Sequence, residues 1–186
     1  METLTIQQAL DLALEHHKAG RLPDAGNIYQ QILQQEPNQP TALHMLGVLS
    51  YQDGKNEQAV ELISRAIEIQ PDLAEAYNNL GVAQEALGNL AKAATSYRKA
   101  IVLQPRYIDA HYNLGNAFRK LENFPEAVAS YQKTLALKPD HASAHNNLGV
   151  VLKESGKLED ALSCYQKAIS LLPEYAEAHY NMGNTL

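Results

Sequence analysis

Between Ala74 and Tyr107 the apolar and small residues fall in two helical stripes. Ala76, Tyr77, Leu80, Gly81, Ala83 and Gln84 recur at helical spacing and predict a first helix, A. Gly88 stops it, as a glycine just past a helix end does. Ala93, Tyr97, Ala100, Ile101 and Leu103 share one face of a second helix, B, and Pro105 closes the unit. The pattern returns every 34 residues without insertion: Pro37, Pro71, Pro105, Pro139 and Pro173 keep this step. So do Gly47, Gly81, Gly115, Gly149 and Gly183, and Ala25, Ala59, Ala93, Ala127 and Ala161. A further series is Leu12, Leu46, Leu80, Leu114 and Leu148, continued by Met182.

The period predicts one array of five full repeats, 6–39, 40–73, 74–107, 108–141 and 142–175, with a partial sixth over 176–186. Thr5-Ile6-Gln7-Gln8 reads as a capping box that opens the first helix. Pro23 and Pro125 stand where B begins, which suits a first helical turn. In the fourth repeat Glu122 replaces the turn glycine, and Asn123 beside it is expected to take the left-handed conformation instead. Gly81, Ala93 and Ala100 remove bulk where A and B cross, so paired helices approach toward the lower end of the ~8–10 Å range. Leu80 and Tyr97 fill the space around the crossing. One hairpin cannot bury its apolar face alone, so neighbours stack into a continuous core.

Tyr77-x-x-Leu80-Gly81, Ala93-x-x-x-Tyr97-x-x-Ala100 and Pro105 resemble the tetratricopeptide repeat, whose 34-residue pattern is well known. The resemblance runs from Ile6 to Leu186. It implies an all-α fold: a right-handed superhelical solenoid of antiparallel helix pairs, with helix A on the concave wall. The pentatricopeptide alternative, which binds RNA, fits neither the step nor the acidic charge. Ala144-His145-Asn146-Asn147-Leu148-Gly149 and His179 to Leu186 are similar to the repeats of O-linked N-acetylglucosamine transferases. Gly20-Arg21-Leu22, Ile28 to Leu33 and Ala42 to Gly47 look like the N-terminal repeats of bacterial proteins in that group. That resemblance implies a larger glycosyltransferase-like parent whose repeats present protein substrates, not an activity in these residues. The apolar helix that stops at Leu186 without a polar cap agrees with such a parent.

One position on A holds Asn79, Asn113, Asn147 and Asn181, with Asp11 and Met45 in the first two repeats. Asn costs up to ~0.7 kcal/mol relative to Ala inside a helix, so the series asks for another role. An amide both donates and accepts. Successive A helices about 10 Å apart would meet roughly every third residue of an extended chain. In the resembled transferases such a ladder binds substrate chains, and these four positions match it. The structural reading is that the asparagines bridge neighbouring helices. Asn78 and Asn146 alternate with Tyr112 and Tyr180 at the preceding position, and Val82 and Val150 with Asn116 and Asn184 at a later one. The expected groove therefore comprises these asparagines and tyrosines, and the expected partner is a protein or extended peptide. The alternative is a scaffold that self-associates through an uncapped C-terminal repeat. The chaperone-type carboxylate clamp lacks its basic residues, because the matching face carries Glu75, Asp109 and Glu177.

Composition narrows this only slightly. A net charge of −6 without a basic stripe disfavours nucleic acid. No signal peptide or membrane span is evident, and the single Cys164 fits a reducing, cytoplasmic setting. His111, His145 and His179 recur every 34 residues, too far apart to converge on one metal ion whose ligands lie at ~2.0–2.1 Å. They read as aromatic-sized fillers. No nucleophile motif or phosphate-binding loop is present, so neither an enzyme activity nor a cofactor is expected.

Overall fold

A computed structural model describes residues 4–186. Among them the chain is all-α, with eleven helices and no strand. The described residues form two compact units, the first ending at residue 89 and the second spanning 90–186. The first holds α1 (Ile6–Lys18), α2 (Leu22–Gln35), α3 (Pro40–Gln52), α4 (Asn56–Ile69) and α5 (Ala74–Ala86). The second holds α6 (Leu90–Leu103), α7 (Ile108–Lys120), α8 (Phe124–Leu137), α9 (Ala142–Glu154), α10 (Leu158–Leu171) and α11 (Ala176–Gly183). Within each unit every helix packs on the next, and alternate A helices also touch: α3 on α5, α7 on α9, α9 on α11.

Local chemistry sets the ends. The Thr5 hydroxyl accepts from the Gln8 amide while Gln8 Oε1 accepts from the Thr5 amide, the reciprocal box expected there. Pro23 and Pro125 lie in the first turns of α2 and α8. The A helices α1, α3, α5 and α9 end on a left-handed glycine, Gly20, Gly54, Gly88 and Gly156 having φ of 75–76°. In the fourth repeat the left-handed residue is Glu122, at φ 56°, whereas Asn123 has φ −88°. The expectation that Asn123 would take this conformation is therefore corrected. Glu122 N–H donates to the Arg119 carbonyl and Asn123 N–H to the Phe118 carbonyl. These two bonds define a Schellman end, which requires the left-handed turn one residue before Asn123 whatever side chain stands there.

The core is built on glycine and alanine. Ala25, Ala59, Ala93, Ala127 and Ala161 are fully buried. A Cβ on Gly47 would lie 2.6 Å from Ile63 Cγ1, and one on Gly115 or Gly149 would lie 2.6 Å from the ring of Tyr131 or Tyr165. The side chains opposite these glycines pack closely against the A backbone and are themselves buried.

Two substitutions test this account. Gly149→Ala should destabilise the chain by about 1–3 kcal/mol through overpacking against Tyr165, while Gly183→Ala, with open space around it, should not. Glu122→Gly should stabilise by about 1 kcal/mol by relieving left-handed strain. Urea unfolding of each purified variant measures both effects.

Candidate functional site

The asparagines on the A helices bond mainly to one another and to the neighbouring A helix. Asn147 Nδ2 donates to the Tyr112 hydroxyl at 3.1 Å and to Asn116 Oδ1 at 3.0 Å. Asn181 Nδ2 donates to Asn146 Oδ1 at 3.0 Å, and Asn146 Nδ2 to Asn147 Oδ1 at 3.2 Å. The Tyr131 hydroxyl, reaching across from α8, donates to Asn116 Oδ1 at 2.8 Å. In the first unit Asn79 Nδ2 lies 2.9 Å from His44 Nε2. An amide nitrogen only donates, so His44 accepts there and carries its proton on Nδ1. Asn78 Nδ2 makes a long bond of 3.5 Å to Asn79 Oδ1.

A pairing rule emerges within each unit. A residue bonds the one 35 positions later, on the next A helix: His44 with Asn79, Tyr112 with Asn147, Asn146 with Asn181. Asn79, Asn147 and Asn181 thus each donate to the acceptor that the preceding A helix places just before its own ladder position. Asn78 is 6 % exposed and Asn146 0 %. The expectation that these two line an open groove is corrected: both are buried, and Asn146 serves as a hidden link, accepting from Asn181 of the next A helix. Asn79, Asn113, Asn116, Asn147, Asn181 and Tyr112 are half-buried, and Asn184 and Tyr180 are exposed, Tyr180 at 71 %.

Tyr112 stacks on His141 with ring centroids 4.8 Å apart and lies 6.0 Å from the Tyr131 ring. His141 also caps α9, its Nδ1 accepting from the Ala144 amide, and burial holds its pKa below the ordinary value. Burial drives the Tyr131 hydroxyl strongly up, so it stays a neutral donor; the positive Arg119 guanidinium beside it opposes this. In the first repeat Leu14 holds the position of Asn116. The Tyr29 hydroxyl is buried there without a partner among the described residues, and burial pushes it to about 12. The tyrosine facing Asn116 meets an amide oxygen, whereas Val150 stands at that position opposite Tyr165. His44, Tyr131, Arg119 and His141 belong to this site and were not singled out from the sequence. The available signal was positional: Asn116 and Tyr131 hold facing positions of one hairpin, and His44 precedes the ladder position as Tyr112 does.

The periodic histidines have a different task. His111, His145 and His179 place Nε2 3.0, 2.9 and 2.8 Å from the carbonyls of Pro105, Pro139 and Pro173. Each carries its proton on Nε2 and pins the loop before its helix, a specific contact beyond space filling. Cys164 is half-buried, and burial pushes its thiol to about 11, leaving little thiolate at neutral pH. Glu75, Asp109 and Glu177 are exposed. No helix among the described residues is long and apolar enough to cross a membrane.

Two family models match the sequence: one described as tetratricopeptide repeat over residues 106–174, the other as TPR repeat over 49–88 and 86–122. Among solved structures, MamA is 25 % identical with a TM-score of 0.80, over 89 % of this chain and 96 % of that one. YrrB, described as a TPR protein with an unusual peptide-binding site, is 20 % identical with a TM-score of 0.83, over 98 % and 93 %. TTC0263, a thermophilic TPR protein in Thermus thermophilus, is 24 % identical with a TM-score of 0.71, over 97 % and 98 %. No curated protein matches significantly.

The His44 joint makes stability depend on pH. Burial lowers the His44 pKa from its ordinary 6.5, with Glu75 opposing and His17 reinforcing, and His17 is lowered by burial too. Between the ordinary value and the lower folded one, the unfolded chain binds more protons. Stability is therefore full above that window and is lost as pH falls through it. Thermal midpoints should drop between neutral and mildly acidic pH, and His44→Gln, which keeps an acceptor for Asn79, should flatten that slope.

Proposed function

We propose that this chain, which belongs to the tetratricopeptide repeat family, is a protein-binding scaffold that holds an extended peptide on the amide-and-tyrosine face of its A helices. One observation carries the reading. On α7, α9 and α11 the hydrogen-bonding side chains form a continuous band, fixed in place by their mutual bonds, while Tyr112, Asn116, Asn147 and Asn181 stay half-exposed and Tyr180 and Asn184 exposed. A band already ordered loses little side-chain entropy on binding. Amides and hydroxyls can pair with a peptide backbone whatever its side chains. YrrB has a peptide-binding site on this same fold, so the architecture admits such a ligand.

The asparagine series Asn79, Asn113, Asn147 and Asn181 is the finer part of the proposal. The inter-helix bonds of Asn79, Asn147 and Asn181 support a structural role, and the half-exposed position of the series supports a second role toward a ligand. We read the repeats as one array, the recognition part of a cytoplasmic, glycosyltransferase-like protein. The support is the likeness of Ala144 to Gly149 and of His179 to Leu186 to the transferase repeats, and the complete reading frame tests it directly. No reaction is assigned to these residues.

Binding of the purified chain to an arrayed peptide library tests the face. Tyr180→Ala combined with Asn184→Ala removes exposed groups and should leave thermal unfolding unchanged. It should weaken the bound peptides about tenfold, the scale of truncating one aromatic side chain at an interface. Unchanged binding in the folded double variant would refute the A-helix face and turn attention to the B helices.

A further inference from the structure

The amide bonds of the second unit all run in one direction. Asn181 donates to Asn146, Asn146 to Asn147, and Asn147 to Asn116, so four side-chain amides on three helices stand head to tail. Tyr131 sets that direction. Its hydroxyl donates to Asn116 Oδ1, and the positive Arg119 guanidinium lies beside the phenol oxygen as a donor-only neighbour. With its oxygen turned to Tyr131, Asn116 requires Asn147 to offer nitrogen. The same constraint passes to Asn146 and then to Asn181.

The consequence lies at the near end of the relay. The oxygens of Asn116, Asn146 and Asn147 are all engaged, and Asn116 Oδ1 accepts twice. Asn116 Nδ2 bonds nothing among the described residues, and the Tyr112 oxygen accepts from Asn147, leaving its hydrogen to donate. Arg119 stands three residues on from Asn116, on the same face of α7. It makes no ion pair among the described residues, and its Nε is buried without an acceptor. Aligned hydrogen bonds polarise one another, so the free Nδ2 is the electropositive end of the chain of amides. Half-buried donors and a charge without an ion-pair partner among the described residues thus share one face of α7.

We propose that Asn116, Tyr112 and Arg119 form a donor-only subsite that takes the carboxylate of an aspartate or glutamate side chain within the bound peptide. The inference rests on the peptide-binding reading above and specifies the peptide's chemistry at one position. A carboxylate is acceptor-only when ionised and complements this face; a primary amide in its place would bring its own hydrogens against donors.

The test uses the full chain and a library of short peptides in which each acidic position is paired with its amide counterpart. Wild type should select peptides acidic at one position, and conversion to Asn or Gln there should weaken binding about tenfold, the worth of a hydrogen bond to a charged group. Arg119→Gln should abolish that discrimination. Asn116→Asp should do so too while keeping the fold, because its carboxylate still accepts from Asn147 and Tyr131. Lys153→Gln removes an equal charge at the corresponding position of α9, outside the relay, and should leave the discrimination intact. Peptides bound without preference for the acid, or an equal loss in Lys153→Gln, would overturn the subsite and leave the peptide-binding face standing. A chain that binds no peptide at all would overturn both.

Discussion

The structure depends on one close approach. Where A and B cross, a glycine backbone on A meets a bulky side chain on B with no room for a methyl group. The packing fixes the helix pair, and at Gly115 it also fixes chemistry. The Tyr131 ring packs closely against Gly115, and its hydroxyl donates to Asn116 Oδ1 on the next residue of α7. A β-carbon at 115 would lift the ring and withdraw the hydroxyl. The polar face of the A helix is thus held from behind by an apolar contact, and the amide relay begins at that anchored oxygen.

Most of the fold was legible because it is local. Helix spacing, the capping box at Thr5, the prolines of α2 and α8 and the turn glycines each act within a few residues, so a linear reading recovers them. The turn at Glu122 shows the limit. Asn suits a left-handed position better than Glu, and propensity pointed to Asn123. The geometry counts from the helix end instead, and the paired bonds to Phe118 and Arg119 leave no choice of residue.

The site was legible only by position. Its residues could be assigned to helix A and to its outward side from the repeat alone. What the sequence does not display is the rotation between successive A helices within a unit, and that rotation brings a residue against the one 35 places later. Two neighbouring positions that look alike in the sequence then part company, Asn146 wholly covered and Asn147 half-open. The histidines followed the same course. Their period was plain, but the bond to the proline carbonyl six residues back needs the loop's path.

The asparagines therefore need not be assigned either to packing or to binding. A primary amide has two donor hydrogens and two acceptor lone pairs. The relay uses both hydrogens of Asn147 and one of its lone pairs, yet it leaves Asn116 with an unused nitrogen. Serine would lack the reach and the second hydrogen, leucine would fill the space without direction, and aspartate in mid-chain would set acceptor against acceptor. Asparagine carries polarity from one helix to the next and delivers it as surplus donors where the chain of bonds ends. Direction is set at the end where the Tyr131 hydroxyl donates to Asn116 Oδ1. A stacking network and a recognition surface become the same set of atoms, with the buried bonds deciding what the exposed end can hold.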